Sequence, residues 1–139
     1  MKKRAFYFWL CASIAWLCVI YGHSLMPAEV SDGESRGIFS WLSQYLPWLT
    51  HHLLRKLAHF SAFAVLGGLF TCTLRQTKYF HPVRPMFMAL LAAFGDETIQ
   101  LFVEGRSGQI SDMWIDFAGA VCGTALLCLF FRLRKKSKA

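Results

Sequence analysis

Ionisable residues recur here at helical spacing inside runs that are otherwise apolar. His52, Arg55 or Lys56, His59, Phe63 and Gly67 follow one another by steps of three and four, which places them on one helix face. A second stripe runs through Ala89, Ala93, Asp96 or Glu97, Gln100 and Glu104, and a third through Asp112, Asp116, Gly119 and Gly123. Each stripe is polar at one end and small at the other. Three helices packed through their small ends would therefore gather the polar ends around a pocket. An acid near the centre of a membrane helix costs on the order of 2.5–3.5 kcal/mol. Asp96 and Glu97 thus need a partner, water or a proton. Adjacent helical residues diverge by about 100°, so the two acids cannot both point straight into one pocket. Arg55, Lys56 and His59 supply the opposite charge at similar depth.

The chemistry open to these side chains follows from their types. His59 titrates near neutral pH and suits acid–base work or charge pairing, with hydrogen-bonded packing as the plainer role. As a metal ligand it lacks the H-E-x-x-H spacing that would support it, so neither a metal nor a cofactor is expected. Arg106 sits between Gly105 and Gly108, where a guanidinium beside turn amides can hold an anion, or can reach lipid phosphate at the membrane surface. Ser107 is a loop serine in no recognised nucleophile setting. Asp112 follows Ser111 at a helix start, where capping competes with a binding role, whereas Asp116 lies one turn further in. An internal salt-bridge network that merely holds the helices together is the alternative to a functional pocket.

The elements that must position these groups are membrane helices. The chain has 139 residues, 55% hydrophobic and 16% aromatic, with a mean hydropathy of +0.39. A bilayer core needs roughly 17–25 apolar residues per crossing, and four segments supply them: about 5–22, 54–74, 86–103 and 112–131. The expectation is an all-α, single-domain bundle of four transmembrane helices over 1–139. Between the first two, Ile38, Trp41, Leu42 and Tyr45 share a helical spacing, with Trp48 beyond Pro47. That stretch reads equally as a helix lying in the headgroup layer or as a loop with aromatic anchors.

Charge sets the orientation. Of the 15 basic residues, eleven (Lys2, Lys3, Arg4, Arg75, Lys78, Arg84, Arg132, Arg134, Lys135, Lys136 and Lys138) fall on one side of a four-crossing chain. The positive-inside rule then puts both termini in the cytoplasm of a multi-pass protein of the cytoplasmic membrane. The same distribution explains the net charge of +7 by anionic lipid headgroups and speaks against nucleic acid. Cys11, Cys18, Cys72, Cys122 and Cys128 all fall in these helices with no CxxC pair, and read as small apolar filler. The first segment starts like a signal peptide but no A-x-A site follows, so it reads as an uncleaved anchor.

Arg55-Lys56-Leu57-Ala58-His59-Phe60, Asp96-Glu97-Thr98-Ile99-Gln100 and Gly105-Arg106-Ser107-Gly108-Gln109-Ile110-Ser111-Asp112, continuing to Asp116 and Gly119, form one pattern with Ser24, Pro27, Ser31 and Ser35. Over about 24–123 this resembles the VanZ-like family of bacterial membrane proteins, named for a teicoplanin-resistance factor. The resemblance carries over to Lys56, His59, Glu97, Gln100, Arg106, Ser107, Asp112 and Asp116, and implies an envelope-related role. Ala62-Phe63 stand where such proteins usually have Glu-Tyr, which removes an acid and a hydroxyl. Two functions are expected. One is an outward pocket that binds a lipid headgroup or a lipid-linked cell-wall precursor, with an effect on glycopeptide susceptibility. The other is a membrane enzyme using His59 and Glu97 as an acid–base pair. A proton-coupled transporter is disfavoured by the few helices and the lack of an inverted repeat.

Overall fold

The computed structural model describes residues 3–137, apart from the Glu34 side chain. Lys2 and Lys138 of the basic termini lie outside the described residues. Five α-helices follow one another: α1 (Lys3–Ser24), α2 (Ala28–Leu42), α3 (His51–Leu74), α4 (Val83–Gln100) and α5 (Ile110–Lys136). The described residues contain no strand.

Of the four expected crossings, α1, α3 and α5 have the length and apolar composition of a membrane span. The fourth is not established on those grounds. α4 has 18 residues, and Arg84, Asp96 and Glu97 all lie within it. At about 1.5 Å per residue it is some 27 Å long, just under a bilayer core. It also begins earlier than expected, because Pro85 falls in the first turn, where a missing N–H costs nothing. It ends earlier too, at Gln100 rather than near residue 103. Glu104 therefore drops off the helical stripe into an exposed loop, where its carbonyl accepts a hydrogen bond from the Ala28 amide at 3.2 Å.

The segment 38–46 belongs to a longer helix than its aromatic spacing outlined. α2 starts at Ala28, immediately after Pro27, and ends at Leu42, with Tyr45 in the following turns. Ile38, Trp41, Tyr45 and Trp48 are all more than half exposed, as suits aromatic and aliphatic groups facing headgroups or acyl chains.

α3 touches every other helix. Thr50 caps it by accepting the Leu53 amide at 3.1 Å. Phe63, Leu66 and Phe70 of α3 meet Ile20 of α1, Ala89, Ala92 and Ala93 of α4, and Ala120 of α5 in the core. The small residues bring backbones together: a Cβ on Gly119 would run into the Phe60 carbonyl, one on Gly123 into that of Ala64, and one on Gly67 into that of Ala120. α3 and α5 interlock through these three contacts, as the G-x-x-x-G spacing in α5 predicts. Interhelical hydrogen bonds supplement them, from Trp16 Nε1 to Ala62 O (2.9 Å) and from Tyr21 Oη to Ala92 O (3.1 Å).

Candidate functional site

The charged residues gather where the C-terminal ends of α1 and α4 meet the N-terminal ends of α3 and α5. Helix direction explains this. The polar half of each stripe sits one to three turns from the same end of the bundle, and the small residues fix how closely those ends converge.

Asp96 is fully buried. Its Oδ1 accepts the hydroxyl of Ser24, the last residue of α1, at 2.6 Å, and its Oδ2 accepts the Gln100 amide at 3.0 Å. Glu97 turns the other way, as the helical offset requires. Its Oε2 accepts the Gln109 backbone N–H at 2.6 Å, and its buried Oε1 has no hydrogen-bond partner. Asp116 is also fully buried. His59 Nδ1 lies 3.4 Å from Asp116 Oδ1, and neither Asp116 oxygen has a hydrogen bond. One ligand-capable atom from each of His59, Asp96 and Asp116 falls within 4.8 Å of the others.

Around this centre lies a shell of ion pairs. Lys56 Nζ donates to Asp112 Oδ1 at 2.8 Å, and Arg55 to Asp32 of α2 at 3.1 Å. Gln109 rather than Asp112 occupies the cap of α5, so Asp112 is a first-turn residue. It joins favourable placement in the helix dipole to its bond with Lys56. Arg106 ties the α4–α5 loop to the end of α1. It donates from Nε to Met26 O at 2.8 Å and from Nη2 to His23 O at 3.0 Å, while its buried Nη1 has no partner. Burial, reinforced by Arg55, pushes its guanidinium below the usual arginine range. The loop turns at Gly105, whose φ of 73° suits a residue without a Cβ.

A cavity of about 130 Å³ opens between these groups. Arg55, Lys56, His59, Gln100, Arg106, Ser107 and Asp112 line it. Asp96, Glu97 and Asp116 lie outside that lining, so the buried acids are separate from a cation-rich wall that also holds Asp32 and Asp112. Ser107 accepts a long hydrogen bond from Gln109 at 3.4 Å and has no base beside it. Asp116 is the carboxylate against His59, while Glu97 accepts from the Gln109 backbone amide. Where the VanZ-like pattern would carry Glu-Tyr, the Ala62 carbonyl accepts the Trp16 indole and Phe63 is wholly buried in the core.

The sequence does not single out Asp32, and Ser24 and Gln109 enter only through the VanZ-like pattern with no role, yet each contacts the site. His52, which heads the first stripe, lines the cavity. Ser24 and Asp32 belong to the Ser24–Asp32 stretch around Pro27, but their partners sit on other helices and no local period marks them.

The model of the VanZ/LLP1 family matches residues 8–132. The chain belongs to the VanZ/LLP1 family. That match covers all of α3 and α4, most of α1 and α5, and every residue of the cluster. No curated protein and no solved structure matches the chain. With its apolar helices, membership of the VanZ/LLP1 family makes this a membrane protein.

Proposed function

We propose that the cavity holds the anionic headgroup of a membrane lipid or of a lipid-linked envelope precursor, and that α4 is a fourth crossing helix with the cavity on the outer face. The observation that carries this reading is the cationic wall. Arg55, Lys56 and Arg106 converge with His52 and His59 on one small cavity against only Asp32 and Asp112. Arg106 keeps a buried N–H without a partner, and a guanidinium suits a phosphate oxygen. An effect on glycopeptide susceptibility would follow from sequestering or presenting such a precursor. Acid–base catalysis by His59 is the second reading, with Asp116 as the group that orients it.

The test is thermal stabilisation of the detergent-solubilised protein by farnesyl diphosphate, dioctanoyl phosphatidylglycerol and dioctanoyl phosphatidylcholine. At a hundredfold excess over Kd a ligand adds about 2.7 kcal/mol of apparent stability. One of the two anionic probes should raise the melting temperature, and the one that does names the source of the headgroup. Phosphatidylcholine should not. The joint variant Lys56→Ala, Arg106→Lys should lose the effect. Equal stabilisation by all three probes, or an undiminished shift in that variant, would remove the anion-pocket reading.

A further inference from the structure

Sharing His59 with the cavity lining is a second constellation with a different chemistry. Asp96 and Asp116 are both fully buried, on α4 and α5, and they meet His59 of α3 with ligand-capable atoms within 4.8 Å of one another. Two carboxylates this close repel unless something positive sits between them. The strong cations of the cavity lining are already engaged: Lys56 with Asp112, Arg55 with Asp32, and Arg106 with the carbonyls of His23 and Met26. The His59 ring stands 3.4 Å from Asp116, and both Asp116 oxygens are buried with no hydrogen-bond partner among the described residues.

We infer that His59, Asp96 and Asp116 bind a divalent transition-metal cation, Zn²⁺ or Mn²⁺ by donor type. Two carboxylates and a neutral imidazole balance a charge of +2, whereas one imidazolium would leave a net negative charge in the buried cluster. Imidazole favours Zn²⁺ and other transition metals over Mg²⁺ and Ca²⁺, which take oxygen ligands. Three protein ligands leave a coordination position open, the arrangement of sites that bind a water or a substrate atom. An outer layer is present as well. Ser24 Oγ donates to Asp96 Oδ1 at 2.6 Å and Gln100 Nε2 to Oδ2 at 3.0 Å, the kind of bonds that fix a ligating carboxylate. The ligands come from three separate helices, which is why no spacing motif announces them.

Metal binding stands on this geometry alone. A coupling between metal and headgroup, through His59, which also lines the cavity, rests additionally on the reading above. The protein in detergent would be stripped with a chelator, desalted and equilibrated with Zn²⁺ or Mn²⁺ at about 10 μM free ion. Retained metal would be measured by mass spectrometry and the Zn²⁺ site by X-ray absorption. About one ion per chain is expected, with nitrogen and oxygen at roughly 2.0–2.2 Å and imidazole scattering. Asp116→Asn and Asp96→Asn should each lower occupancy at least tenfold, and Glu29→Gln, at an exposed position of α2 outside the cavity lining, should not. Because a buried variant can fail to fold, the wild-type spectrum is an independent criterion. Sulfur scattering near 2.3 Å would place the ion on cysteine and overturn the proposal. So would less than about a fifth of an equivalent retained, or full occupancy in a folded Asp116→Asn protein. Metal retention without anion stabilisation would refute the headgroup reading and leave this one standing.

Discussion

Ser24 and Lys56 each make one short polar contact with an acid, and burial makes the two contacts energetically unequal. Ser24 is buried against a fully buried Asp96. Removing its hydroxyl leaves a carboxylate oxygen without one of its donors, at a cost of about 1–3 kcal/mol. The Lys56–Asp112 pair keeps a quarter to a third of each side chain exposed, and a pair that wet is worth roughly 0–1 kcal/mol. Ser24→Ala should therefore lower the thermal midpoint in detergent clearly more than Lys56→Met does. Equal losses would mean that the buried acid does not depend on this hydroxyl. The difference also shows what was legible residue by residue. The stripes bring out His59, Lys56, Asp112 and Asp116 because each stripe lies on one helix, where period alone sets the face. Ser24, Asp32 and Gln109 become visible only once α1, α2 and the α4–α5 loop are in place, since their partners lie on other elements.

Between helices the same logic applies to glycine. Gly119 and Gly123 of α5 have no room for a Cβ, because the carbonyls of Phe60 and Ala64 stand in its place. A methyl there must push α3 and α5 apart, and overpacking of this kind costs typically 1–3 kcal/mol. Gly33 and Gly37 of α2 and Gly22 of α1 have nothing within 4 Å of a built Cβ. Alanine there gains helix propensity, up to about 1 kcal/mol in water. Gly119→Ala and Gly123→Ala should thus lower the melting temperature, while Gly33→Ala and Gly37→Ala should hold or raise it. A neutral Gly123→Ala would contradict the α3–α5 interlock. The graded stripes, with Gly119 and Gly123 at the small end of the third, made close packing of the three helices readable in advance, but not which pair would interlock. Helix ends were less readable, since proline acts on both sides of a boundary. Pro85 lies inside the first turn of α4, and Pro27 immediately precedes α2. A period measured from the aromatic residues alone could not locate the start of α2.

For the molecule as a whole, the number of crossings decides what the cluster faces. Three crossings put the chain termini on opposite sides of the membrane, and four put them on the same side. α4 is the only helix in question, because its charges lower its apolarity without altering its direction. Its C-terminal residues meet the end of α1 through Ser24 and the start of α5 through Gln109. Its earlier residues join the core that Phe63, Leu66 and Phe70 build along α3. A helix that accompanies three spans in this way carries the 75–82 and 101–109 loops to opposite ends of the bundle. With α4 as the proposed fourth crossing, the excess of Lys and Arg at the chain ends and in the 75–82 loop would fall on one side, as the positive-inside rule asks. Replacing the five native cysteines and introducing Tyr79→Cys or Glu104→Cys, both at exposed positions, separates the alternatives. A membrane-impermeant maleimide should label Glu104→Cys in intact cells, and Tyr79→Cys only after permeabilisation. Labelling of both from outside would leave α4 on one side of the bilayer. Labelling of Tyr79→Cys alone would invert the orientation and turn the His59–Asp116 cluster toward the cytoplasm, where a lipid-linked precursor would be met before export rather than after it.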